Sequence, residues 1–108
     1  MADQRGNETV PESRPLTEGA VVRQLTICNR KGLHARASAK FVQTVEKFDA
    51  EVRVTRGSET VGGTSIMGLM MLAASSGCAI TVEATGSEAA QVVDALSDLI
   101  NSRFGEDD

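Results

Sequence analysis

The chain contains no tryptophan and no tyrosine, and its aromatic complement is three phenylalanines. A core must therefore be built from Val, Ile, Leu, Met and Ala. The same scarcity argues against a surface that stacks the bases of single-stranded nucleic acid. Positive charge is not in excess: the net charge is −4, which argues against a general binder of nucleic acid or of a membrane surface. No apolar run reaches the length of a signal peptide or a membrane span, so a cytoplasmic protein is expected. Two cysteines, Cys28 and Cys78, and a single histidine, His34, offer too few soft ligands for zinc and form no CxxC pair. In a reducing compartment the cysteines are expected as free core thiols.

One absence is local. No carboxylate occurs between Glu18 and Glu46, and the middle of that stretch holds Arg30, Lys31, Arg36 and Lys40 around His34. The acidity sits at the ends: residues 1–20 hold Asp3, Glu8, Glu12 and Glu18 against Arg5 and Arg14, and residues 103–108 hold Glu106, Asp107 and Asp108 against Arg103. It is thus expected in the tails and away from the histidine.

At 108 residues the chain is one domain. Residues 1–20, without a sustained apolar period, read as a flexible extension. Residues 21–104 form the domain, and 105–108 an acidic tail expected to fray. Alternation of Val21, Arg23, Leu25 and Ile27 gives a first strand, and Asn29-Arg30-Lys31-Gly32 a turn. A helix follows from about Ala35 to Lys47, with Ala37, Phe41, Val45 and Phe48 on its buried side. Strands over Glu51–Thr55 and Glu59–Gly62 flank the turn at Arg56-Gly57-Ser58. A short helix runs from Ile66 to about Ala74, and a strand from Cys78 to Ala84. The last helix begins after Ser87, which is expected to cap it. Its buried stripe is Ala89, Val92, Val93, Leu96, Leu99 and Ile100. The string βαββαβα implies an α+β, two-layer open-faced sandwich, with three helices on one face of a four-stranded antiparallel sheet. Right-handed crossovers place the fourth strand between the first two, in the order 1-4-2-3. Antiparallel pairing of the first and fourth strands would make Cys28 and Cys78 neighbours, with no disulfide expected.

A lone imidazole at a helix start, ringed by cations, suits an anionic group such as phosphate. Beside it stands the plain alternative of a surface histidine that happens to begin a helix. Ser65 also starts a helix, and capping is its expected role. The helix after it, Ile66-Met67-Gly68-Leu69-Met70-Met71, is too short to bury every face, so about half of its apolar side chains are expected in the core and the rest in solvent.

Gly32-Leu33-His34-Ala35-Arg36, followed by Ala39, Phe41 and Val42, and Ser65-Ile66-Met67-Gly68-Leu69-Met70-Met71-Leu72-Ala73, on this element string, resemble HPr, the histidine-containing phosphocarrier family of the bacterial phosphoenolpyruvate-dependent phosphotransferase system. The resemblance spans Val21 to about Phe104. It implies a phosphocarrier and not an enzyme, phosphorylated on Nδ1 of His34 by enzyme I and discharged to a IIA-type protein in sugar transport or nitrogen-related regulation. It implies that Arg36 is the active-site arginine and that Ser65 is the serine which an HPr kinase/phosphorylase modifies in some bacteria. Ile66 and Met67, with Met70 and Met71, are then docking residues. No cofactor or metal is implied, and a monomer is expected. Unsatisfied amides of Ala35, Arg36 and Ala37 would cradle the phosphate, Arg36 adds a planar charged fork, and Gly32 permits a close approach before the histidine.

Two features depart from the family pattern. Ala37 stands where many members have proline, which adds a donor and removes a rigid φ. Gln43 and Glu46 occupy positions that are often lysine in sugar-transport members, a trait that favours the nitrogen-related branch. Two other readings compete. A hydrolase using His34 with Ser38 or Cys28 lacks an evident carboxylate to orient the base. A noncatalytic α+β binding module would make His34 incidental.

Overall fold

The computed structural model describes residues 20–106. The extension at 1–20, apart from Ala20, and the tail residues 107 and 108 lie outside them. Four strands, β1 (Val21–Thr26), β2 (Glu51–Arg56), β3 (Glu59–Gly62) and β4 (Ala79–Thr85), form one antiparallel sheet in the order β1-β4-β2-β3. The helices are α1 (Ala35–Val45), α2 (Ile66–Met71) and α3 (Ala89–Asn101), followed by a 3₁₀ turn at Arg103–Gly105. This is the open-faced sandwich that the βαββαβα pattern implies.

Register explains which side of the sheet meets the helices. Leu25 lies opposite Ile80, and Val54 opposite both Val82 and Val61, while Val52 faces Ala84. Alternation puts these side chains on one face, where they pack with Ala37, Phe41 and Val45 of α1 and with Val92, Val93, Leu96 and Ile100 of α3. Phe41 and Phe104 are the largest fully buried side chains. Arg23, which shares the alternation of β1, stays exposed at the edge and pairs with Asp94 of α3 at 2.9 Å.

Four details depart from the sequence reading. Firstly, α2 stops at Met71, because Ala73 takes a left-handed φ of 54° that no helix continues through. Arg56 Nη1 donates to the Leu72 carbonyl just beyond the helix, at 2.9 Å. Secondly, Ser87 does not cap α3. Its hydroxyl donates to Asp49 Oδ2, and Glu88, at the N-cap position, accepts from the Asp49 amide. Gly86, at φ 116°, lies so close to Asp49 and Ala50 that a Cβ would stand 2.9 Å from their backbone, which sets this loop against the start of β2.

Thirdly, the cysteines are free but not core residues: Cys28 is exposed and Cys78 half-buried. Their segments are adjacent, since the Ile27 amide donates to the Cys78 carbonyl and the Gly77 amide to the Ile27 carbonyl. The thiols have different partners, however. Cys28 Sγ donates to the Ile100 carbonyl, whereas Cys78 Sγ lies among Arg56 and Ser75. Hydrogen bonding from Ser75, with the Arg56 charge, holds the Cys78 thiol below its ordinary pKa. Fourthly, Glu106 does not fray; it is bonded at the site described next.

Candidate functional site

His34 occupies the N-cap position of α1 in an extended conformation, and its carbonyl accepts the first intrahelical bond, from the Ser38 amide, at 2.9 Å. The amides of Ala35, Arg36 and Ala37 precede that bond, so the helix itself cannot satisfy them. The segment before the histidine is held by backbone. Leu33 N–H donates to the Ala74 carbonyl at 2.9 Å, and Gly32 has φ 66°. A Cβ on Gly32 would stand 2.3 Å from the Ala74 oxygen, so only glycine fits this approach between the His34 loop and the end of α2. Asn29, read in the sequence as a turn residue, is fully buried and donates through Nδ2 to the Gly32 carbonyl at 2.9 Å.

The C-terminal turn closes the other side. Arg103, Phe104 and Gly105 all have positive φ, a chain reversal anchored by the buried Phe104. Lys40 Nζ donates to the Phe104 carbonyl at 2.6 Å. The reversal delivers Glu106 to His34: Oε2 lies 2.5 Å from Nε2, and Oε1 accepts from Asn29 Nδ2 at 3.1 Å. Burial alone would raise the Glu106 carboxyl. Hydrogen bonds from Asn29 and His34, with the charges of His34 and Lys31, outweigh it and hold the group below its ordinary pKa. The His34 side chain remains 27% exposed, in an open cleft of about 640 Å³ lined also by Lys31, Ala35, Arg36, Lys40, Gly105 and Glu106.

The geometry thus brings together His34, Arg36 and the helix-start amides. It adds Glu106 and Asn29, which sequence reasoning missed. Glu106 lies 72 residues from His34 in a segment read as a tail, and its position depends on three consecutive left-handed residues, only one of them glycine. Asn29 had a weak signal: a polar residue continuing the inward alternation of Leu25 and Ile27. The carboxylate found beside the imidazole also corrects the expectation that acidity stays away from it. It does not rescue the hydrolase reading, because Ser38 is buried with its hydroxyl donating to the Leu33 carbonyl and Cys28 donates to Ile100.

Ser65 caps α2: its hydroxyl accepts from the Gly68 amide at 2.9 Å. Gly68 leaves room for this cap, since a Cβ there would crowd Ser65 Oγ and Val61 Cβ at about 3 Å. Of the apolar residues of α2, only Leu69 is buried. Ile66, Met67, Met70 and Met71 are all exposed, Met67 and Met71 to 70%, so less of this helix enters the core than the sequence reading expected.

A family model described as the PTS HPr component phosphorylation site matches residues 21–102. The chain belongs to the HPr family. Phosphocarrier protein HPr of Neisseria meningitidis is 54% identical over 82 residues, covering 76% of this chain and 92% of that protein. Phosphocarrier protein NPr of Shewanella violacea is 39% identical over 84 residues, covering 78% and 92%. Among solved structures, HPr-C-His from Thermoanaerobacter tengcongensis superposes with a TM-score of 0.77 at 40% identity, covering 81% of this chain and 98% of that one. As an HPr-family member the chain is a phosphocarrier of the phosphotransferase system and not a catalytic enzyme. Among the described residues no helix is long and apolar enough to cross a membrane, and no cluster of three or more potential metal ligands occurs.

Proposed function

We propose that this protein accepts a phosphoryl group on Nδ1 of His34 from enzyme I and passes it to a IIA-type protein, working as a monomer in the cytoplasm. The observation that carries this reading is the placement of the sole histidine at the start of α1, in an open cleft shared with Lys31, Arg36 and Lys40. With Nε2 engaged by Glu106, Nδ1 is the ring nitrogen left for the phosphoryl group. Phosphoryl transfer asks a protein chiefly for alignment and for charge stabilisation at the transferring oxygens. Arg36 supplies a permanent charge, and the amides of Ala35, Arg36 and Ala37 supply fixed donors. A neutral imidazole is nucleophilic, and its phosphoramidate is labile enough to pass the group on.

Incubation with phosphoenolpyruvate, magnesium and enzyme I, followed by intact mass measurement, tests the reading. An acid-labile gain of one phosphate is expected in the wild type and none in His34→Ala, with the circular dichroism of the two unchanged. No gain in the wild type with a cognate enzyme I rejects the carrier and returns the protein to a binding module.

Partner docking falls to the exposed Ile66, Met67, Met70 and Met71, since flexible apolar side chains accommodate more than one partner surface. Ser65 lies exposed at the head of the same helix. Phosphorylation there by an HPr kinase/phosphorylase would set a dianion beside Met67 and repel a partner's acidic surface. As acceptor we favour a IIA protein of the nitrogen-related branch over a sugar-transport one, because Gln43 and Glu46 leave the exposed side of α1 less basic. Parallel transfer rates from the phosphorylated protein to the two kinds of IIA protein decide between them.

A further inference from the structure

The carrier reading leaves two side chains at the site without a role, and both are unusual. Asn29 is fully buried, and both of its bonds are donations from Nδ2, to Gly32 and to Glu106. Its Oδ1 is buried without a partner. The opposite amide orientation would aim an oxygen at two acceptors, so Gly32 and Glu106 together dictate which way Asn29 points. A buried acceptor left unpaired is uncommon in folded proteins, and here it accompanies a clamp that grips one oxygen of Glu106. The other oxygen meets His34 Nε2 at 2.5 Å. The clamp depends on the chain reversal at Arg103–Gly105, held by buried Phe104 and by Lys40.

We infer that Glu106 is a positioning residue for His34: its carboxylate, oriented by Asn29, accepts the Nε2–H and so presents the Nδ1 lone pair to the cleft. This rests on the carrier reading above and extends it. An ionised carboxylate can only accept, so in the neutral ring the single proton must sit on Nε2 and Nδ1 must be bare. When a phosphoprotein donor arrives, the Nδ1 lone pair forms the new P–N bond while the donor's bond to phosphorus breaks and its electron pair leaves with the donor. The Nε2–H stays in place, so the substituted ring carries a positive charge, which Glu106 neutralises. On delivery an acceptor nucleophile of the partner bonds to phosphorus as the P–N bond breaks, the P–N electron pair returns to Nδ1, and the ring is neutral again. Glu106 therefore holds the ring and its proton through the whole cycle without exchanging a proton itself. Its negative charge also opposes the incoming phosphate, and Lys31, Arg36 and Lys40 around the same cleft offset that repulsion.

The single histidine makes the test unambiguous. In ¹⁵N-histidine-labelled protein at mildly alkaline pH, the expected spectrum has one bare nitrogen and one protonated nitrogen whose proton lies far downfield and exchanges slowly. Glu106→Ala should abolish that proton signal and slow phosphorylation by enzyme I about tenfold at saturating donor, the lower end of what hydrogen-bond partners of metal-bound imidazoles contribute, with KM unchanged. Glu106→Gln, which keeps an acceptor without the charge, should restore much of the signal and part of the rate. Wild-type rates in Glu106→Ala would overturn the inference, and so would an effect confined to KM, which assigns Glu106 to donor docking. Failure of the carrier reading looks different: the wild type itself takes up no phosphate, whatever its ring spectrum.

Discussion

His34 and Glu106 show how a residue's chemistry depends on what holds it. A carboxylate near the chain end would ordinarily be solvated; this one is 14% exposed and bonded through both oxygens. Its depressed pKa has a direct consequence for stability. A carboxyl whose folded value lies below its unfolded value, here 4.5, stabilises the fold fully above the unfolded value. That contribution is lost as pH falls through the lower, folded value. Urea unfolding followed from pH 5 to pH 3, where His34 stays charged and the carboxyl is the partner that titrates, should therefore show the gap between wild type and Glu106→Gln largest at the upper end and closing on acidification. A gap that widens in acid would show that the carboxylate is not held by these bonds. Gly32 makes the same point sterically. Gly32→Ala must occupy a left-handed φ and drive a Cβ into the Ala74 carbonyl, so a loss of at least about 2 kcal/mol is expected by denaturant titration.

At the level of single elements, α2 is the informative case. Its six residues bury only Leu69, too little packing to hold so short a helix by itself. Its ends do the rest: Ser65 satisfies the Gly68 amide at the start, and Arg56 takes the Leu72 carbonyl beyond the finish. Ser65→Ala should cost about 1 kcal/mol, seen as a lower urea midpoint with unchanged slope. Ala73 carries the opposite liability. At φ 54° an alanine is strained by roughly 1 kcal/mol, so Ala73→Gly is expected to raise the midpoint despite the added freedom of the unfolded chain. A lower midpoint would mean that backbone entropy outweighs the relief of strain. The contrast with α1 is instructive, since α1 buries Ala37, Ser38, Phe41, Val42 and Val45 and is carried by packing.

For the whole molecule, the sandwich sets His34 and the apolar residues of α2 near one another. The backbone bond from Leu33 to the Ala74 carbonyl joins the loop that bears the histidine to the segment that ends α2. The docking face proposed above, with Met67 and Met70 exposed, lies on the helix that leads into that segment. Met67→Asp removes an exposed side chain that packs against little and sets a charge in the proposed docking face. Labelling by enzyme I should then show a KM raised about tenfold, a fall of roughly 1.4 kcal/mol in docking free energy, with the thermal midpoint unchanged. Equal KM values would move the docking face elsewhere.

Much of this protein was legible along the chain. Strand alternation in Leu25-Ile27 and Val52-Val54, the helical stripes of α1 and α3, and glycine-marked turns determine the element order, and crossover handedness leaves one sheet order for it. Those signals are local, and local periodicity suffices to say which face of an element is buried. That His34, Arg36 and the first amides of α1 share one helix start also read directly, because they lie within four residues of each other. Tertiary structure alone decided the rest. Whether Ser87 caps its helix depends on Asp49, from a distant turn. The end of α2 depends on an alanine in a conformation that alanine does not advertise. Above all, the carboxylate at the imidazole comes from the far end of the chain, through a left-handed reversal and a buried asparagine. Neither composition nor spacing encodes a contact across 72 residues; it exists only once Phe104 is buried and the chain has turned back on itself.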